Sequence, residues 1–144
     1  MKVKIKKLND KAIIPTRGSK DAAGNDIYAC IDKEIQINPH ETVKIPTGFA
    51  TEMLNGTVAL VYSRSGLATK KGLVICQGTA VIDSDYRGEW FIPLHNDTNE
   101  IQTVEPNNRI AQVVFTDFIV PKFIEVDELT DTKRGNSGFG STGK

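Results

Sequence analysis

At 144 residues the chain has room for one domain with a real core and too little for two. Eighteen basic residues balance eighteen acidic ones, so the formal net charge is zero and argues against a general polyanion-binding surface; any anion must be met by a local arrangement. With 39% hydrophobic and 25% charged residues, the composition is that of a folded globular chain and not of a disordered one.

The lysine-rich start MKVKIKK alternates with Val3 and Ile5, which predicts a strand with one wet face and no hydrophobic signal core. No apolar run approaches the ~20 residues that cross a bilayer, and a cytoplasmic protein is expected. The same period-two alternation recurs at residues 35–37 and 43–45. Longer runs rich in β-branched and aromatic residues follow at 57–62, 73–76, 90–94 and 110–120. Turn signals separate them, among them Pro39-His40, Pro46-Thr47-Gly48, Asn55-Gly56 and Pro106-Asn107-Asn108. The pattern is that of an all-β sandwich or barrel.

One short helix is predicted between Ser65 and Gly72, with serine capping its start and glycine its end. After Val126 the apolar pattern stops, which divides the chain into a β domain over 1–126 and a flexible arm over 127–144. The last fifteen residues, TDTKRGNSGFGSTGK, set a single aromatic, Phe139, among glycine, hydroxyl and charged residues.

Cys30 and Cys76 form no CxxC and have no histidine beside them, so neither a disulfide framework nor a zinc site is indicated. His40 and His95, the only histidines, stand far apart, which argues against a histidine-based metal centre.

Chemistry is most legible at the arginines. Four of the five precede glycine or serine: Arg17, Arg64, Arg87 and Arg134. Guanidinium forks grip phosphate oxygens, and a neighbouring glycine lets backbone approach, although arginines at turns are also ordinary surface residues. In Ser63-Arg64-Ser65-Gly66-Leu67-Ala68 a strand runs into a short helix and points backbone amides at one spot, which suits a phosphate. In the arm, Arg134, Ser141 and Thr142 are donors on either side of Phe139, which reads as a closing flap or as a frayed terminus.

A third element, residues 77–88, reads as a hairpin whose turn carries Asp83, Asp85 and Tyr86 before the strand at 90–94. Asp83 follows Val81-Ile82 and is expected at the rim of the core, where partial desolvation makes a carboxylate a base toward water. Asp-Ser-Asp is equally common turn chemistry.

Together these elements resemble the homotrimeric all-β dUTPases, whose five motifs recur in fixed order. Here they are Asp21-Ala22-Ala23-Gly24-Asn25-Asp26-Ile27, the Ser63 to Ala68 segment, Gly78 through Gly88, Asn108-Arg109-Ile110-Ala111-Gln112, and Arg134 through Gly143. The resemblance implies a distorted jelly-roll sandwich with one short helix and a C-terminal arm. It implies hydrolysis of dUTP to dUMP and pyrophosphate, with Asp83 activating water for attack on the α-phosphorus. Tyr86 would pack under the deoxyribose and exclude ribonucleotides, while the backbone of Gly78 to Ile82, including Val81, reads uracil. Gln77 stands where many members have asparagine.

By the same resemblance Arg64, Ser65 and Gly66 cradle the phosphates, and Gln112 and Asp26 are supporting polar positions. Arg134, Phe139, Gly140, Ser141 and Thr142 form the flap. Mg2+ would be held by the triphosphate and water with no direct protein ligand, Asp26 acting at most through water. Three chains would share each of three sites. Two alternatives stand beside this: a dCTP deaminase on the related fold, for which Glu89 is the only nearby glutamate, and a nucleotide-gated module that binds a regulatory protein partner.

Overall fold

The structure, a computed structural model, describes residues 1–138. Strands dominate, in chain order β1 (Lys4–Lys7), β2 (Thr16–Arg17), β3 (Asn25–Tyr28), β4 (Ile35–Ile37), β5 (Thr42–Pro46), β6 (Phe49–Glu52) and β7 (Thr57–Tyr62). The helix α1 (Ser65–Lys71) comes next, then β8 (Leu73–Ile75), β9 (Thr79–Ile82), β10 (Phe91–Asn96), β11 (Gln102–Val104) and β12 (Arg109–Asp117). Every pairing is antiparallel. The largest sheet runs β2-β3-β12-β7-β9, a second runs β5-β10-β8, and the pairs β1-β6 and β4-β11 complete the sandwich. The all-β architecture with one short helix is therefore as the sequence predicts.

Alternation sets which side chains turn inward. In β10, Ile92, Leu94 and Asn96 are buried while Phe91 faces out. Pro93 sits in this central strand because β8 pairs only from Leu94 onward, and its carbonyl still accepts from the Cys76 N–H at 2.9 Å. The core is apolar and continuous: Phe49 and Trp90 meet with ring centroids 5.4 Å apart, among Ile27, Ile45, Ile75 and Val61. Burial of each such side chain contributes about 1.5–3 kcal/mol.

Three expectations are corrected. The segment at 77–94 is no hairpin: β9 pairs with β7, and β10 pairs with β5 and β8, so residues 83–90 cross from one sheet to another. The strand expected over 110–120 ends at Asp117, where its partner β7 begins at Thr57; beyond it, Ile119 and Val120 have nothing to pair with and lie exposed. Arg64, and not a serine, takes the N-cap of α1 and offers no side-chain cap bond. Gly72 does close the helix, in the left-handed conformation, with its N–H on the Ala68 carbonyl at 3.0 Å.

Candidate active site

The β9 strand is an edge of the five-stranded sheet, so one rim of its backbone is unpaired, and a cleft of about 370 Å³ opens beside it. Gln77, Val81, Ile82, Asp83 and Tyr86 line this cleft together with Lys44, Glu89, Phe91 and Pro93. Val81, Tyr86 and Phe91 are exposed apolar surfaces, which leaves the cleft with greasy walls and polar backbone.

The turn after β9 is tightly held. The Tyr86 N–H donates to the Asp83 carbonyl at 3.2 Å, Arg87 Nη1 to the Ser84 carbonyl at 2.7 Å, and the Tyr86 hydroxyl to the Glu89 carbonyl at 3.1 Å. The Tyr86 ring occupies the space that a Cβ on residue 88 would fill, so only glycine fits at Gly88. The tyrosine thus presents a fixed ring to the cleft. Asp83 is exposed in the single chain, against the expected desolvated rim: it follows the last paired residue of an edge strand, and no described residue covers it. Glu89 Oε1 accepts the Gly48 N–H at 2.8 Å.

A second cluster forms where β3, β12 and the start of α1 meet. Asp26, only 14% exposed at its side chain, accepts Arg64 Nε at 2.7 Å on one oxygen and Arg109 Nη1 at 3.2 Å on the other. Arg64 Nη1 also reaches the Arg109 carbonyl at 3.3 Å. Gln112 donates to the Ser63 carbonyl at 3.1 Å and packs so closely on Gly24 that a side chain there would strike its amide oxygen. Both Asp26 oxygens face guanidinium donors, so Asp26 holds Arg64 and Arg109 in place. Ser65 and Gly66 lie exposed at the uncapped start of α1.

The cleft and the arginine cluster share no lining residue. Arg134 makes a local contact, its Nε donating to the Ser137 carbonyl at 2.8 Å. Phe139, Gly140, Ser141 and Thr142 lie outside the described residues.

Sequence reasoning missed Arg109 as the second partner of Asp26, and Lys44 and Phe91 as cleft walls. Only strand register could have found them: Lys44 sits opposite Pro93, and Phe91 opposite Pro46. It also set the two histidines apart, whereas the fold brings His40, His95 and Asp97 together, with one ligand atom from each within 4.8 Å of the others. The cysteines are free, and burial first, then the nearby Glu89 and Asp32 carboxylates, push the Cys30 thiol up, which disfavours its thiolate. No helix among the described residues is long and apolar enough to cross a membrane.

A family model described as dUTPase matches residues 10–143. The chain belongs to the dUTPase family. It is 46% identical to the deoxyuridine 5'-triphosphate nucleotidohydrolase of Nautilia profundicola over 144 residues, the whole of both chains. Its fold is similar to a dUTPase variant from Staphylococcus bacteriophage 80alpha solved with dUpNHpp, at 30% identity, a TM-score of 0.88 and 99% coverage of each chain. It is also similar to a dUTPase variant from phage phi11 of S. aureus, described with a structural Mg(II) ion, at 26% identity and TM-score 0.79, covering 89% of this chain and 98% of that one. For this dUTPase-family chain the jelly-roll-like β fold is thus shared with solved members.

Proposed function

We propose that this chain hydrolyses Mg·dUTP to dUMP and pyrophosphate as a homotrimer whose sites are shared between chains. The observation that carries the reading is the cleft beside the free edge of β9, where Asp83 and the fixed Tyr86 ring meet an unpaired strand backbone. Uracil presents a donor between two acceptors, which an edge strand's alternating carbonyl and N–H groups match without side chains. Tyr86 then lies against the sugar, and its crowding leaves no room for a 2′-hydroxyl.

Asp83 orients a water and takes its proton as the oxygen attacks the α-phosphorus. The bond to the bridging oxygen breaks, and pyrophosphate leaves. Magnesium arrives with the substrate and offsets the phosphate charge when bound. Arg64, Ser65 and Gly66 of a second chain supply donors along the phosphates, and Gln112 and Asp26 hold that cradle in shape. The arm, with Arg134, Phe139, Gly140, Ser141 and Thr142, closes over the γ-phosphate and base. The exposed apolar run of Phe118, Ile119, Val120, Phe123 and Ile124 supports assembly, since a lone chain would leave this surface in water.

The deaminase alternative would rest on Glu89, whose Oε1 already accepts the Gly48 N–H and around which the sequence carries no supporting motif. The test is Asp83→Asn: kcat falls by about 10²–10⁴-fold while dUTP binding stays within a few-fold, because only the proton acceptor is lost. Binding lost in parallel with turnover would remove Asp83 from the role of base.

A further inference from the structure

We propose that His40, His95 and Asp97 form a site for one divalent transition-metal ion of the zinc class, separate from the nucleotide cleft. These are the chain's only two histidines, 55 positions apart in sequence, and the fold places a ligand atom from each within 4.8 Å of the other and of an Asp97 carboxylate oxygen. None of the three lines the cleft.

The arrangement is built by backbone. His40 lies in the turn before β5, at φ 59°, a left-handed conformation uncommon for a residue with a side chain. Its N–H donates to the Asn96 carbonyl at 2.9 Å, and the Asn96 N–H returns to the Glu41 carbonyl at 3.0 Å, clipping that turn to the end of β10. The Asn96 side chain is fully buried; its amide nitrogen sits within 3.1 Å of the Ile37, Asn38 and Glu100 carbonyls, and its oxygen accepts the Thr98 N–H and hydroxyl. Asp97 is fixed on its other side by its N–H on the Gly72 carbonyl at 2.9 Å.

Each imidazole also has an outer partner. His40 Nε2 lies 3.1 Å from Asn99 Oδ1, an acceptor, so that nitrogen carries the proton and Nδ1 keeps its lone pair. His95 Nδ1 lies 3.0 Å from the Thr42 hydroxyl, which itself lies 3.7 Å from Cys76 Sγ; in the tautomer whose Nδ1 donates to that hydroxyl, His95 Nε2 keeps its lone pair for the metal. Metal-ligating histidines characteristically donate their second nitrogen to such a partner. Tetrahedral zinc ligands stand about 3.4 Å apart, a closure that rotation of the exposed His40 and Asp97 side chains supplies. Two imidazoles and one carboxylate leave a fourth position for water and favour a borderline ion over Mg2+, which prefers oxygen ligands.

The test is titration of the full chain with Zn2+ alone, without nucleotide, by calorimetry and by NMR of the two histidine rings. One zinc per chain is expected, with both rings shifting together and the binding surviving Mg2+ in large excess. His95→Ala and His40→Asn, the latter a residue that accepts a left-handed backbone, each weaken binding by at least about 10-fold, and Cys76→Ser leaves it unchanged. His40→Asn lies in an exposed turn and carries the test if His95→Ala fails to fold. Zinc binding that persists in His40→Asn, shifts only one ring, depends on Cys76, or yields to equimolar Mg2+ would overturn the proposal.

Discussion

Asp26 shows how one carboxylate organises two cations. Its side chain is largely buried and faces Arg64 and Arg109 on separate oxygens, so removing its charge leaves two guanidinium groups opposed without a counterion. Asp26→Asn is expected to lower stability by about 1.5–3 kcal/mol, the range for hydrogen bonds to charged groups, read as a lower urea midpoint. KM for dUTP should rise with it, because Arg64 loses its fixed direction. An unchanged urea midpoint would show that the arginines find other partners. The contiguous residues of this site were legible in the sequence: Asp83 and Tyr86 stand three apart in one turn. The Asp26–Arg109 contact was not, because 83 positions separate the pair and only the antiparallel register of β3 on β12 joins them. The same reason hid the meeting of His40 and His95.

At the scale of elements, period-two alternation located β1, β4 and β5, because a half-buried strand writes its burial directly into its residues. It failed for β9 and β10, whose adjacency in sequence suggested a hairpin; partner choice depends on register with distant strands, which local pattern does not encode. The helix stop was legible in Gly72, while the helix start was not, since no capping side chain is used there. The chain beyond β12 carries the arm. Residues 118–138 form no helix or strand and, apart from half-buried Gly138, are exposed, so their loss costs the β domain little. A chain ending at Val126 is therefore expected to keep its melting temperature within a few degrees and lose most turnover, by thermal denaturation and steady-state kinetics. Undiminished turnover would remove the flap from the mechanism.

At the scale of the whole molecule, the cleft and the Arg64–Asp26–Arg109 cluster share no residue. If neighbouring chains complete each other's sites, an Asp83→Asn chain and an Arg64→Ala chain, each inactive alone, recover a measurable part of parent turnover when mixed and allowed to exchange subunits, because some sites then draw both intact residues. No recovery after verified exchange would place both residues in one chain's own site. The activity itself is read by pyrophosphate release from dUTP with magnesium present, beside dCTP, dTTP and UTP. Rapid release from dUTP alone is expected under the proposed function, in which the edge of β9 reads the base and Tyr86 the sugar. Release from none of the four, or equal release from UTP and dUTP, would contradict it.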